Sequence, residues 1–177
     1  MVRCSVALIV LLAALSSVVT ATTVVPLTFE QLVNESAAVV YGRVTDVRPQ
    51  WSDDRRFIES VVSIEILRGL KGATRQTMAF TVPGGQVGRY VNVIPGAPAF
   101  SPGDLAVFFL SSRGARLPVT TGLTQGIYRV QHDARSGAML VMPPVIEPGR
   151  VVRGDAGRRP APLAVFESSV RGIVGAR

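Results

Sequence analysis

The chain has 177 residues, enough for one domain with a hydrophobic core, and its 19 basic and 12 acidic side chains give a net charge of +7. One cysteine and one histidine cannot supply a cluster of thiolate and imidazole ligands, so the composition excludes a zinc site built from these residue types. The arginines are scattered and aromatic residues do not alternate with them, which argues against a nucleic-acid interface.

The first 21 residues have the pattern of a secretion signal. Arg3 precedes an apolar run over 6–15, and Val19-Thr20-Ala21 matches a small-residue cleavage site. The apolar run is shorter than the about 20 residues that cross a bilayer. We therefore predict cleavage after Ala21, which leaves a secreted or periplasmic chain that begins at Thr22 and contains no cysteine. An uncleaved N-terminal anchor is the alternative.

A short helix is predicted over 29–36. Thr28 is a suitable N-cap residue, and Gln31, three positions further on, completes a capping box. Leu27 and Leu32 stand at the two positions of a hydrophobic staple, which fixes the direction from which the chain enters the helix.

Strand patterns dominate the middle of the chain. The clearest lies over 56–67, where Ile58, Ser60, Val62 and Ile64 fall on one face, and this period of two predicts a half-buried strand. The continuous apolar run over 105–110 is typical of a strand that is buried on both faces. Further strands are predicted over 39–44, 77–82, 124–131 and 138–142, with Gly42 at a bulge or a close backbone approach.

Glycine and proline mark two irregular segments. Residues 83–104 are predicted to form a long loop, which is either functional or compactly packed. Residues 143–162 are rich in proline, glycine and arginine and are predicted to form a linker.

The C-terminal segment has the spacing of an amphipathic helix over 163–174. Leu163, Phe166, Val170 and Ile173 recur at helical intervals, and Pro162 immediately precedes them. We expect this helix to pack on the domain. Binding to a membrane surface or to a partner is the alternative.

Together these elements predict a mainly β fold. We expect a small closed barrel of about five to six strands of the OB type over 22–142, with a short helix before it and the amphipathic helix after it. Closure of the barrel would remove the exposed edges that short strands otherwise present. A β-sandwich is the alternative architecture.

Three runs of the sequence resemble the strand order of netrin-like domains, the OB-fold group that includes the tissue inhibitors of metalloproteinases. They lie at 37–44, 62–72 and 103–110, within a stretch of similarity over 27–131. The chain also resembles uncharacterised secreted bacterial proteins of similar length. The inhibitors chelate the protease zinc through an N-terminal cysteine, which the predicted mature chain lacks. The resemblance therefore implies the fold and an extracytoplasmic location rather than that activity.

The candidate partner-binding residues lie in the loop over 83–104 and just before the strand over 56–67. Trp51 is the only tryptophan and stands in a polar segment, which is typical of an anchor for a ligand or partner. Packing of Trp51 against the barrel is the alternative. The full candidate set is Trp51, Arg55, Arg56, Gly84, Gly85, Gln86, Arg89 and Tyr90.

The function that we expect from the sequence is that of a secreted, non-catalytic binding domain. Its partner would be a secreted protein or an anionic surface polymer. The alternatives are an extracytoplasmic protease inhibitor and a hydrolase that uses Asp53, Asp54 or His132. No catalytic residue, metal site or cofactor is predicted, because His132 has no second histidine at ligand spacing and no nucleophile elbow is present.

Overall fold

The computed structural model describes residues 26–72, 75–144 and 159–176. Within them the fold is mainly β, with one large sheet and a short helix at each end. The predicted signal over 1–21 and most of the predicted linker, residues 145–158, lie outside the described residues. None of the helices in the described ranges is both long and apolar enough to cross a membrane.

The elements follow one another in a simple order. Helix α1 is Phe29–Glu35 and helix α2 is Leu163–Gly175, while a 3₁₀ turn occupies Leu123–Gly126. The strands are β1 Ala38–Trp51, β2 Ile58–Lys71, β3 Thr77–Pro83, β4 Gly85–Val87, β5 Tyr90–Asn92, β6 Leu105–Arg113, β7 Arg116–Thr120, β8 Ile127–His132, β9 Met139–Met142 and β10 Ala161–Pro162.

The large sheet has eight strands in the order β1-β2-β3-β7-β6-β8-β9-β10, and β1 also pairs with β6. Strands β3 and β7 are parallel, through the pair Thr81 and Val119, and the other pairings are antiparallel. Strands β4 and β5 form a separate two-stranded hairpin. This hairpin lies within 83–104, where the sequence predicted an irregular loop.

Strand β1 extends to Trp51, beyond the predicted 39–44, because β2 continues to pair with it after its pairing with β6 ends. Up to Arg43 it pairs with both β2 and β6, and beyond Arg43 only β2 continues beside it. The second half is therefore an edge, where Pro49 can be accommodated although it has no N–H to donate. Gly42 sits at a register shift, and a Cβ there would lie 2.6 Å from the Glu65 carbonyl oxygen, so the close approach predicted for this glycine is confirmed.

The predicted faces of β2 are confirmed. Ile58, Ser60, Val62 and Ile64 are buried while the residues between them are partly exposed. The continuous apolar run of β6 is also buried on both faces, as predicted. One of its faces, with Phe109, contacts the helices, and the other, with Phe108, contacts the core between β1, β2 and β3.

The predicted strand over 124–131 begins too early. Residues Leu123–Gly126 instead form the 3₁₀ turn, in which Leu123 has a φ of 57°. The chain must turn here because buried polar groups hold it close to α1: the Ser36 and Thr121 hydroxyls are 2.8 Å apart and the Leu27 N–H donates to Gln125 Oε1 at 2.8 Å. Paired polar groups of this kind can be buried at little cost.

Helix α1 has the predicted capping box. The Thr28 hydroxyl accepts from the Gln31 N–H at 3.1 Å, and the Gln31 side chain accepts from the Thr28 N–H at 2.8 Å. At the other end, the ammonium of Lys71 donates to the carbonyl oxygens of Val33 and Asn34 at 2.6 and 3.1 Å. A cation at this end satisfies unpaired carbonyls and also opposes the negative end of the helix dipole.

Helix α2 packs on the sheet through Leu163, Phe166 and Val170, which agrees with the predicted apolar face. The rings of Phe166 and Tyr128 lie 5.0 Å apart. Beside them, the buried Glu167 accepts from Arg68 Nη1 at 2.8 Å. The helix therefore docks through an aromatic cluster and one ion pair at its edge.

We predict that Lys71→Met destabilises the protein by about 2 kcal/mol, because two carbonyls at the end of α1 lose a charged donor. The measurement is the midpoint and slope of urea unfolding. Arg75→Met, which removes an exposed cation from the following turn, is the matched control and should change stability by less than about 0.5 kcal/mol. Equal losses in the two variants would show that the cap contributes nothing specific.

Candidate functional site

Trp51 and Tyr90, two of the predicted residues, meet in the structure. Trp51 ends β1 and Tyr90 begins β5, and their ring centroids lie 5.5 Å apart in an edge-to-face arrangement. Trp51 is 37% exposed and Tyr90 is 51% exposed. The Trp51 ring therefore packs on Tyr90 of the hairpin and still presents a surface to solvent, and its role as an anchor for a ligand or partner stays a prediction.

Gly84 and Gly85 attach the β4–β5 hairpin to the β1–β2 ribbon. The Ser60 hydroxyl donates to the Gly84 carbonyl oxygen at 2.8 Å, and the Gly84 N–H donates to the Ile58 carbonyl oxygen at 2.9 Å. A Cβ on Gly85 would lie 2.6 Å from Ser60 Oγ, and Gly85 has a φ of 137°. These two glycines thus have a structural role, because they allow the hairpin backbone to lie directly on β2.

The outer side of the hairpin is apolar and basic. Arg89 lies 5.2 Å above the Tyr90 ring and donates to its hydroxyl at 3.1 Å, while Gln86 donates to the Gly88 carbonyl oxygen across the turn. Several apolar side chains around them are open to solvent. We call this set the hairpin surface: Trp51, Arg89, Tyr90, Val91, Val93 and Ile94.

Arg55 and Arg56 lie in the turn between β1 and β2. Arg55 adopts a φ of 54°, and its N–H donates to the Ser52 carbonyl oxygen at 2.7 Å. The Arg56 guanidinium pairs with the Asp54 carboxylate at 3.7 Å. The structure thus collects six of the eight predicted residues on the hairpin and at its base, and it leaves these two arginines in the neighbouring turn.

A second surface, which the sequence did not predict, lies on the outer face of β2 and β3. Two adjoining cavities of about 490 and 380 Å³ share Phe57, Glu59, Thr81 and Arg113. The β1–β2 turn forms one wall and the β6–β7 turn forms the other. We call the two cavities together the groove.

The side chains that line the two walls of the groove have opposite charges. Asp53 and Asp54 belong to the β1–β2 turn, whereas Arg113 and Arg116 belong to the ends of β6 and β7. Among the described residues neither arginine lies within 4.0 Å of a carboxylate, so both guanidinium groups are available to a ligand. Phe57 and Leu117 are 44% and 40% exposed and add one apolar side chain to each wall, and Glu59 of β2 and Thr81 of β3 complete the lining.

The Asp54 carboxylate organises its turn. It accepts from the Ser52 hydroxyl at 2.6 Å and from the Arg56 N–H at 3.2 Å. These hydrogen bonds hold the pKa of Asp54 below its ordinary value, and the charge of Arg116 lowers that pKa further. The turn that forms this wall is therefore fixed around an ionised carboxylate.

We predict that Asp54→Asn lowers stability at pH 7 and that its deficit against the unchanged protein shrinks as the pH falls below about 4. The pKa of Asp54 is lower in the folded protein than in the unfolded chain, so the ionised carboxylate stabilises the fold at pH values above the unfolded-state pKa. That stabilisation is lost as the pH falls and the carboxylate is protonated. Urea midpoints between pH 7 and pH 3 measure the effect. Asp53→Asn is the control, since the Asp53 side chain takes no part in these hydrogen bonds. A pH-independent deficit for Asp54→Asn would contradict the prediction.

Two residues of the groove, Phe57 and Leu117, could have been noticed in the sequence. Phe57 is a large apolar residue on the mainly polar face of the β2 pattern, and Leu117 is an apolar residue next to Arg116. Either could have indicated a binding surface, because a large apolar side chain on a polar face is not used by the core. Their proximity, however, depends on the pairing of β3 with β7.

The residues of the hydrolase alternative are separated in the fold. His132 is exposed at the end of β8, whereas Asp53 and Asp54 lie in the β1–β2 turn. Asp133, next to His132, accepts from the Ser136 hydroxyl at 2.5 Å and from the Arg135 N–H, and these hydrogen bonds lower its pKa. Over the described ranges, no group of three or more histidine, cysteine, aspartate or glutamate side chains is placed to hold a metal ion.

Comparisons of this chain with protein-family models, with curated proteins and with solved structures found no match.

Proposed function

We propose that this protein is a secreted, non-catalytic binding domain and that the groove receives an extended segment of a protein partner. The observation that carries this proposal is that Arg113 and Arg116, which form no ion pair with the described residues, line the same groove as the carboxylates of Asp53 and Asp54 and the exposed side chains of Phe57 and Leu117. Shaped apolar surfaces with a few convergent polar groups are the usual form of a binding site.

We further propose that the central strands form a closed OB-like barrel related to netrin-like domains. The pairings β1–β2, β2–β3, β3–β7, β7–β6 and β6–β1 support this, because they return to the strand from which they start. In OB folds the face of the second and third strands binds ligands, between the loops that join the first two and the last two barrel strands. The groove has that position here.

Several features favour a polypeptide over a uniformly charged polymer. A polyanion attracted to Arg113 and Arg116 would also meet Asp53, Asp54 and Glu59, and like charges in one site penalise such a ligand. A peptide can place a carboxylate near the arginines, an apolar side chain on Phe57 and a basic group near the aspartates. The mixed lining therefore supports the secreted protein rather than the anionic polymer.

The proposed location depends on the N-terminal segment, with Arg3, the apolar run over 6–15 and the small residues before Thr22. Outside the cytoplasm the cleaved chain would contain no cysteine, so its fold would depend on its core and its hydrogen bonds alone. A binding role needs neither a thiol nor a metal ion, and this agrees with the composition.

We predict that a displayed library of random peptides, selected on the purified protein, yields binders whose affinity falls at least tenfold in Arg113→Ser/Arg116→Ser. Each guanidinium–carboxylate contact at a partly desolvated site contributes about 1–2 kcal/mol, and about 1.4 kcal/mol is tenfold. Titration calorimetry of selected peptides against both proteins gives the measurement.

Arg75→Ser/Arg135→Ser is the matched control, since it removes the same net charge from exposed turns outside the groove. We expect this control to bind the selected peptides within about twofold of the unchanged protein. Selected peptides that are insensitive to the groove variant, or equally sensitive to the control, would refute the groove as the binding site.

A further inference from the structure

The hairpin surface is separate from the groove and has a different chemistry. Five of its six residues are apolar or aromatic, and Val93 and Val91 are 79% and 60% exposed. Isolated exposed valines are ordinary, but a contiguous group beside two partly exposed aromatic rings marks a contact surface. No feature of the groove requires this group, so it calls for a separate explanation.

The apolar side chains stand on the outward side of the hairpin. Strand β4 packs against β1 and β2, and β5 lies beyond it. Tyr90 faces Trp51, and Asn92 donates to the Ile58 carbonyl oxygen at 3.5 Å, so both point inward. Because side chains alternate along a strand, Val91 projects outward, and Val93, just after the strand, is 79% exposed.

Aromatic and basic groups adjoin these valines on the same hairpin, with Arg89 in its turn. Tyr90 and Trp51 are less exposed than Val91 and Val93, and Arg89 stacks on the Tyr90 ring. The hairpin surface therefore combines exposed aliphatic side chains, amphipathic aromatic rings and one cation, which are the kinds of side chain found at a membrane interface. There, aliphatic groups enter the acyl region, while tryptophan, tyrosine and arginine remain among the headgroups.

The charge of the segment is complementary to an anionic lipid surface. Between residues 76 and 103, Arg89 is the only charged residue. The adjoining β1–β2 turn adds no net charge, since Asp53 and Asp54 are balanced by Arg55 and Arg56. A protein partner would need a concave apolar pocket to receive the exposed Val91 and Val93 side chains, whereas a bilayer interface accommodates them without one.

We propose that the hairpin surface inserts into the interface of bilayers that contain anionic lipids, with Val91 and Val93 entering below the headgroups and Arg89 contacting lipid phosphate. This inference goes beyond the proposed peptide-binding function and does not depend on it. The protein would be held at a membrane surface by the hairpin while the groove remains on the outer face of β2 and β3.

The test uses vesicles of phosphatidylcholine with and without phosphatidylglycerol. Trp51 is the only tryptophan and lies in the hairpin surface, so its fluorescence reports insertion directly. We expect a blue shift and co-sedimentation with the anionic vesicles. Val91→Asp/Val93→Asp should weaken both by at least about tenfold, because carboxylates in the acyl region are strongly unfavourable. Arg89→Gln should reduce the preference for anionic over neutral vesicles.

Two control variants make the result specific. Val165→Asp replaces a valine that is 56% exposed on α2, and Arg75→Ser/Arg135→Ser removes two exposed cations outside the hairpin surface and the groove; both should bind vesicles like the unchanged protein. Thermal unfolding confirms that each variant is folded. Failure of the unchanged protein to bind, or equal losses in the controls, would overturn the proposal. So would a dimer in sedimentation that Val91→Asp/Val93→Asp dissociates while vesicles remain unbound, because the surface would then be a protein contact.

Discussion

Over residues 39–42, strand β1 is paired along both edges and buried on both faces, and the remaining structure is arranged around this segment. Strand β2 pairs with one edge and β6 with the other. Val39 and Tyr41 belong to the core beneath the helices, whereas Val40 belongs to the core shared with β2 and β3. Each fully buried aliphatic side chain contributes about 1.5–3 kcal/mol, so the two cores are stabilised by the same few residues.

The hairpin surface and the groove both lie where β1 is no longer paired along both edges. Beyond Arg43, β1 has lost its β6 partner and continues with β2 as a two-stranded ribbon. One face of that ribbon receives the β4–β5 hairpin, through Gly85 and Ser60, and the other face contributes Phe57 and Glu59 to the groove. The hairpin surface and the groove are therefore two faces of one extension of the sheet. A ligand on one can be bound without displacing a ligand on the other.

The elements that could be predicted from the sequence are those whose determinants are local. The capping box of Thr28 and Gln31, the alternation of β2 and the apolar spacing of α2 each lie within about a dozen residues. The β4–β5 hairpin was missed because three-residue strands are too short to show a period and because glycine and proline normally indicate a loop. The start of β8 was misplaced because buried hydrogen bonds to α1, rather than local propensity, fix the turn at Leu123.

In the candidate sites too, single residues could be predicted from the sequence, whereas their contacts depend on the fold. Trp51 and Tyr90 could be recognised individually as aromatic residues in polar or glycine-rich segments, but their contact depends on Gly84 and Gly85 lying on β2. The groove could not be predicted, because about 60 residues of chain separate Phe57 from Arg116 and only the pairing of β3 with β7 brings them together.

The bond between Lys71 and the end of α1 has a practical consequence. Every other basic side chain in the sequence is an arginine, so the protein has a single side-chain amine, and its nitrogen is occupied by two carbonyl oxygens. Amine-directed acylating reagents would therefore modify this side chain only when the helix end separates from the sheet. The rate of that modification, measured by mass spectrometry, would therefore report how often the end of the N-terminal helix opens, without any substitution in the sequence.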